Sequence, residues 1–213
     1  MELNNINKLL CDIPNNVTIV AATKYVEAND MIKLLEFGIN NFGENRVDSF
    51  LRKYDELKDE NIVWHFIGHL QRNKVNKVIN KISYLHSLDS IKLAHEINKY
   101  RIEPLNCFIE ININEEETKT GLAISELEEL ILEIKNLPNI NIIGLMAMSV
   151  KASNEEEKLH QFINVRNLLK DINEKYEMDL KYLSMGMSDD YEAAIKAGST
   201  HIRLGRILWT QKN

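Results

Sequence analysis

Cysteine is scarce in this chain, with only Cys11 and Cys107 in 213 residues. Neither belongs to a C-x-x-C pair, which excludes a disulfide framework and is the usage of a reducing compartment. Cys107 lies inside an apolar run and reads as a small buried thiol. No group of His, Cys, Asp or Glu has metal-ligand spacing, so no metal is expected. Long apolar runs are missing too, none approaching the ~20 residues a helix needs to cross a bilayer. Met1-Glu2-Leu3-Asn4-Asn5 has no basic stretch leading into an apolar one, so no secretory signal is expected and the cytoplasm is the expected location. An excess of positive charge is also lacking: 26 Lys and Arg stand against 32 Asp and Glu, a net charge of −6. That balance argues against nucleic acid as a partner, and the run Gln71-Arg72-Asn73-Lys74 with Lys77 reads as a solvated helix face. No linker, repeat or low-complexity segment interrupts the chain, so residues 1–213 read as a single domain.

What is present is alternation. Apolar, strand-like runs occur at residues 17–22, 39–42, 63–67, 84–88, 107–113, 140–146, 182–185 and 201–204. Between them, apolar residues recur at helical spacing. Val47, Phe50, Leu51, Tyr54 and Leu57 form one stripe, and Leu127, Leu130, Ile131, Ile134 and Leu137 another. A third runs Leu159, Phe162, Ile163, Leu169, Ile172 and Tyr176. Ser125 before Glu128 and Ser153 before Glu156 have capping-box spacing, and a leading helix is expected over residues 2–10. Eight strands alternating with helices imply parallel pairing through helical crossovers. The expected fold is α/β, a single (β/α)8 TIM barrel near the small end of its size range. An open doubly wound sheet would place a glycine-rich loop after its first strand, and Thr23-Lys24-Tyr25-Val26 is not one.

In such barrels the site is built at the carboxyl ends of the strands. Those ends carry Lys24, Gly43-Glu44-Asn45, Gly68-His69, Ser87 with Asp89, residues 112–119, residues 146–149, Ser184-Met185-Gly186 and Arg203-Leu204-Gly205-Arg206. An amine ending an apolar run is costly to bury; desolvation would lower its pKa and make it a carbonyl nucleophile. A snorkelling lysine is the bland alternative. The last two loops suit a phosphate, with Gly205 admitting close backbone approach, residues 207–209 as a short helix and Ser184 offering a hydroxyl. Alternatively Gly205 only turns the chain; Ser188 is expected to cap the next helix. His65 reads as a hydrogen-bonded core histidine, and Asp89, Asp189 and Asp190 as carboxylates at helix starts. Lys119 is a second lysine on the mouth side, as readily a solvated loop residue as an accessory amine. No residue is singled out as catalytic.

A Schiff-base amine facing an anion site, with an arginine between, describes a pyridoxal phosphate pocket. The strings Ala22-Thr23-Lys24, Gly43-Glu44-Asn45-Arg46, Trp64-His65-Phe66-Ile67-Gly68-His69, Leu183-Ser184-Met185-Gly186-Met187-Ser188-Asp189-Asp190 and Arg203-Leu204-Gly205 resemble the signature segments of the pyridoxal phosphate homeostasis protein family, in register from about Val17 to Trp209. The resemblance implies a barrel like the amino-terminal domain of alanine racemase, with pyridoxal 5'-phosphate (PLP) held as a Schiff base on Lys24. It implies phosphate contacts at Ser184 and Gly205, Arg203 facing the pyridine nitrogen, and Asn45 lining the pocket. Where the family usually has Thr or Ser after this glycine, the chain has Arg206, whose guanidinium is expected to contact the phosphate.

The expected function is PLP binding in vitamin B6 homeostasis, with no reaction of its own. An arginine at the pyridine nitrogen weakens the ring as an electron sink, and no second domain is expected to supply an acid–base group over the far face. Apo PLP enzymes are the expected recipients, and exposed helix faces suggest a monomer. Two alternatives are a minimal PLP-dependent amino-acid racemase, which needs a proton donor on each face, and a Schiff-base aldolase on a sugar phosphate.

Overall fold

The computed structural model describes residues 2–3, 6–113, 121–150 and 153–210. Eight strands close into a parallel barrel in chain order: β2 (Thr18–Ala22), β3 (Asn41–Glu44), β4 (Val63–Phe66), β5 (Tyr84–Leu88), β6 (Leu105–Glu110), β7 (Ile140–Met146), β8 (Tyr182–Ser184) and β9 (His201–Leu204). Closure is made by β2 against β9, with Ala21 opposite Leu204. The helices between them are α2 (Ala28–Leu35), α3 (Val47–Glu56), α4 (Val75–Val78), α5 (Ile91–Tyr100), α6 (Leu127–Ile134), α7 (Glu155–Tyr176) and α8 (Tyr191–Lys196). The expected barrel is the observed one.

The chain opens differently from expectation. A short strand β1 (Glu2–Leu3) pairs antiparallel with β10 (Trp209–Thr210), and only then does α1 (Ile6–Asp12) begin. The second expected run also shifts. Ile39 N–H still bonds Leu34 O at the end of α2, so the strand starts at Asn41.

Alternation along each strand makes two interiors. Outward residues pack beneath the helices, where Phe50 of α3 meets Trp64 of β4 edge-on at 5.3 Å between ring centroids. The expected stripes lie here: Val47, Phe50 and Leu57 are buried, as are Leu127, Leu130, Ile131 and Ile134. Inward residues fill the barrel, and there the filling is unusual, with His65, His86, His201, Ser184 and Arg203 buried beside Phe108. Branched apolar residues are the ordinary filling.

The caps fall one residue away from their expected places, or elsewhere. Asn154 accepts from Glu157 N at 2.9 Å while the Glu157 carboxylate accepts from Asn154 N, so the box starts at Asn154. Ser153 lies outside it and accepts from Gln161 Nε2. Ser125 sits within a 3₁₀ turn, Ile124–Glu126, whose Glu126 carboxylate accepts from Ala123 N. Ser188 caps no helix, and its hydroxyl goes to the mouth of the barrel.

Candidate functional site at the carboxyl end of the barrel

Lys24 follows β2 at this mouth, but its amine is not buried. The residue is exposed, and Nζ lies 4.6 Å from the ring centroid of Tyr25, itself 72 % exposed. The strand ends at Ala22, and the next turn carries the side chain into solvent. A hydrogen bond from Lys24, reinforced by its charge, holds the Tyr25 hydroxyl below its ordinary pKa. Desolvation is therefore not what prepares this amine.

Its backbone is held from behind. Thr23 is fully buried, and its Oγ1 donates to Glu44 Oε1 at 2.6 Å. Lys53, on the buried face of α3, pairs with that same carboxylate and donates to Thr23 O at 2.6 Å. An ion pair with 1 % and 0 % side-chain exposure is costly to desolvate and adds no packing that apolar residues would not. Here it ties β2, β3 and α3 together at the residue before Lys24.

The loops after β8 and β9 face each other beside Lys24. Gly186 turns the first loop with φ +93°, in the left-handed region. Ser188 Oγ then accepts from Gly205 N at 3.2 Å and from Ile207 N at 3.4 Å, where the 3₁₀ turn Arg206–Leu208 begins. Both N–H groups thus converge on the Ser188 oxygen, and an anion cradled at this turn start would take them over from that hydroxyl. The Arg206 side chain points elsewhere: its guanidinium pairs with Asp189 on the surface, at 78 % and 69 % exposure. Asp190 turns inward to accept from Met187 N at 2.6 Å.

Beneath the mouth, Arg203 is 5 % exposed. Its Nη1 donates to Ser184 O at 2.7 Å and Ser184 Oγ at 2.6 Å, and Nη2 to Ala147 O at 3.3 Å. Burial lowers its pKa to about 10, against the opposing pull of Glu110 and Asp190, so it stays charged at neutral pH. Ser184 also contacts His86 Nδ1 at 2.7 Å. His86 Nε2 reaches His65 Nδ1, and His65 Nε2 reaches Asn41 Oδ1, each at 2.9 Å. Burial holds the imidazoles neutral: His65 falls to about 3 chiefly through burial, with His201 opposing its charging, and His201 falls to about 4 through burial and the Arg203 charge. His86 lies well below its ordinary value, chiefly through burial.

The far side of the mouth is formed by the ends of β3 and β4. Asn45 Oδ1 is buried without a partner, beside a cleft of about 240 Å³ that Arg46, His69 and Lys74 also line. Gly68 is required there: a Cβ on it would stand 2.4 Å from Asn45 O. His69 Nδ1 contacts Asp89 at 2.9 Å, and Ser87 donates to Gly68 O. Lys119 lies outside the described residues. Among the described residues, no His/Cys/Asp/Glu group could hold a metal ion, and no helix is long and apolar enough to cross a membrane.

The mouth thus gathers Lys24, Asn45 and Gly205, with Ser184 and Arg203 below and Arg206 turned outward. A solvated amine can condense with an aldehyde, the Ser188 cradle suits a phosphate, and a charged guanidinium can donate to a ring nitrogen. Sequence reasoning missed Ser188, which it took for a helix cap, and Lys53, which is polar on an apolar face. Ser188 was legible only in that it sits in the Gly-x-Ser turn facing Gly205; nothing in the sequence marked Lys53.

A closed parallel eight-stranded barrel with helices between its strands defines the class, and the family model of the alanine racemase N-terminal domain matches residues 3–212. The likeness to alanine racemase of Clostridium difficile shows the fold, with a TM-score of 0.73 and 19 % identity over 98 % of this chain and 56 % of that one. More similar relatives narrow the class. Pyridoxal phosphate homeostasis proteins of Aquifex aeolicus and Escherichia coli are 38 % and 35 % identical, over 93 % and 92 % of this chain and 88 % and 86 % of theirs. PipY of Synechococcus elongatus, in a structure with PLP bound, superposes with a TM-score of 0.91 and 27 % identity over 96 % of this chain and 98 % of its own. The chain belongs to the pyridoxal phosphate homeostasis protein family.

Proposed function

We propose that this protein binds PLP at the carboxyl mouth of its barrel and takes part in intracellular vitamin B6 balance by holding and releasing it. The observation that carries this reading is the solvated Lys24 amine beside the Ser188–Gly205–Ile207 cradle, over a charged Arg203. The residues fit the group. A side chain at Gly205 would meet only Ala22, at 3.7–3.8 Å, so the cradle is open. Asn45 Oδ1, buried and unpartnered, supplies a further polar contact.

When bound, PLP supplies an aldehyde that forms a Schiff base with an amine. Lys24 is the amine that would hold it, with its backbone fixed through Thr23 by Glu44 and Lys53. Ser188 and the N–H groups of Gly205 and Ile207 would bind the phosphate. Ser184, whose hydroxyl is engaged by Arg203 and His86, would act below the ring through Arg203 instead. Arg206 would contribute its backbone rather than its side chain.

A carrier without turnover is favoured over a racemase. Arg203 keeps its charge at neutral pH, so facing the ring nitrogen it would donate to it and favour its unprotonated form, a weak electron sink. Apo PLP enzymes are the proposed recipients, and the protein is proposed to act as a monomer in the reducing cytoplasm that its free cysteines suit.

The test is colour and mass. Protein mixed with PLP should turn yellow, and borohydride should bleach it and add the cofactor's mass at Lys24; Lys24→Ala should take up no covalent adduct. Protein that stays colourless would sink the reading and favour the aldolase. Deuterium exchange at the α-carbon of an amino acid in heavy water would instead establish the racemase.

A further inference from the structure

From Arg203 beneath the mouth to Asn41 at the first residue of β3, a continuous line of hydrogen bonds crosses the barrel interior. Its links are Arg203 Nη1 to Ser184 Oγ (2.6 Å), Ser184 Oγ to His86 Nδ1 (2.7 Å), His86 Nε2 to His65 Nδ1 (2.9 Å) and His65 Nε2 to Asn41 Oδ1 (2.9 Å). Asn41 in turn lines a cleft of about 380 Å³ at the amino end of the barrel. Ser184, His65 and His86 are all fully buried.

The ends of the line assign its direction. Arginine can only donate. Asn41 Nδ2 donates to Asn40 Oδ1 at 3.0 Å, which leaves Asn41 Oδ1 to accept. His65 therefore carries its hydrogen on Nε2. A neutral imidazole has one N–H and one lone pair, so His65 Nδ1 accepts from His86 Nε2. His86 Nδ1 then accepts, and the Ser184 hydroxyl hydrogen points at His86. Ser184 Oγ is left with only lone pairs facing the guanidinium. The opposite order would turn the Asn41 amide and leave Ser184 aiming a buried O–H at a group that cannot accept it.

We infer that His86, His65 and Asn41 are positioning residues that act through Ser184 to fix the Arg203 guanidinium beneath the mouth. Apolar residues would fill the same space without needing every partner in place, so a fully directed polar line is an expensive way merely to pack a barrel. With its hydrogen drawn away by His86, Ser184 receives Nη1 at both its carbonyl and its hydroxyl oxygen. The inference rests on the cofactor reading only for what the fixed guanidinium serves.

Two measurements on ligand-free protein test it. Nitrogen-15 NMR of the wild type should show His65 and His86 protonated on Nε2. The Arg203 guanidinium should give separate Nη signals in the wild type and in His86→Asn, whose amide oxygen can still accept from Ser184. In His86→Leu those signals should merge as the group begins to rotate. A hydrogen on Nδ1 of His86, or Arg203 signals equally separate in His86→Leu, would overturn the inference. If His86→Leu does not fold, the wild-type tautomers alone decide. In PLP-loaded protein the absorption band should change in His86→Leu and be retained in His86→Asn, which a purely structural role would not produce. Wild type with these tautomers and a fixed guanidinium that takes up no PLP sinks the cofactor reading and leaves the inference standing.

Discussion

Acidification should unfold this protein well before its carboxylates titrate, because three imidazoles are folded in their neutral form. In the unfolded chain a histidine has a pKa of about 6.5. In the fold His65 and His201 lie at about 3 and about 4, and His86 well below its ordinary value. Between pH 6.5 and 4 the unfolded state therefore binds more protons, so stability falls as pH falls through that window. Going from pH 7 to pH 5 should remove about 2 kcal/mol for each of His65 and His201, and His86 adds a loss in the same direction. A domain of ordinary stability has only about 5–15 kcal/mol in total. Urea unfolding followed by Trp fluorescence at intervals from pH 7 to pH 5 gives the slope. Near pH 5.5 His65 and His201 alone should give about two protons, or about 2.5 kcal/mol per pH unit, and His86 should steepen this; each carboxylate is still almost wholly ionised there in the unfolded chain. Replacing His201 with Phe should lower the slope by about one proton. A free energy that is flat between pH 6.5 and pH 5 would refute the claim that these groups are folded neutral.

Three further outcomes are expected. Lys53→Met leaves Glu44 buried without its cation, and should cost about 3–5 kcal/mol in urea unfolding; adding Glu44→Gln should recover much of that loss, whereas additive losses would mean the two do not act as a pair. Ser188→Ala removes the acceptor shared by Gly205 N and Ile207 N and the hydroxyl of the cradle, and should weaken PLP retention about tenfold, the worth of roughly one hydrogen bond; an unchanged dissociation constant would place the phosphate elsewhere. Arg206→Thr breaks only an exposed pair with Asp189, worth about 0–1 kcal/mol, so PLP affinity at low and high salt should stay within about threefold of wild type; a larger loss that shrinks in high salt would show the guanidinium on the phosphate.

Much of this protein follows from its sequence alone. The alternation of β-branched runs with 3.6-residue stripes demands parallel strands with helical crossovers, and eight such units close a barrel. Strand ends rich in Gly, Ser and Asn mark one mouth, because small and polar residues after apolar strands leave polar groups open to a ligand. Lys24, Gly205 and Arg203 were identifiable on those grounds, together with strings that few other families share. Tertiary structure alone decided how the polar groups meet. His86 and Ser184 touch across 98 residues of sequence, and strand periodicity shows that both point inward but not that they face each other. Lys53 occupies an apolar stripe as an apparent error until Glu44 and Thr23 arrive from two strands to satisfy it. Ser188 has the sequence setting of a helix cap, yet its hydroxyl is closer to two N–H groups from another loop than to the helix that follows it. Lys24 emerges into water because its strand stops two residues earlier, a boundary set by hydrogen bonding to neighbouring strands. Local pattern fixes which face a side chain takes; the partner across the barrel fixes what that side chain does.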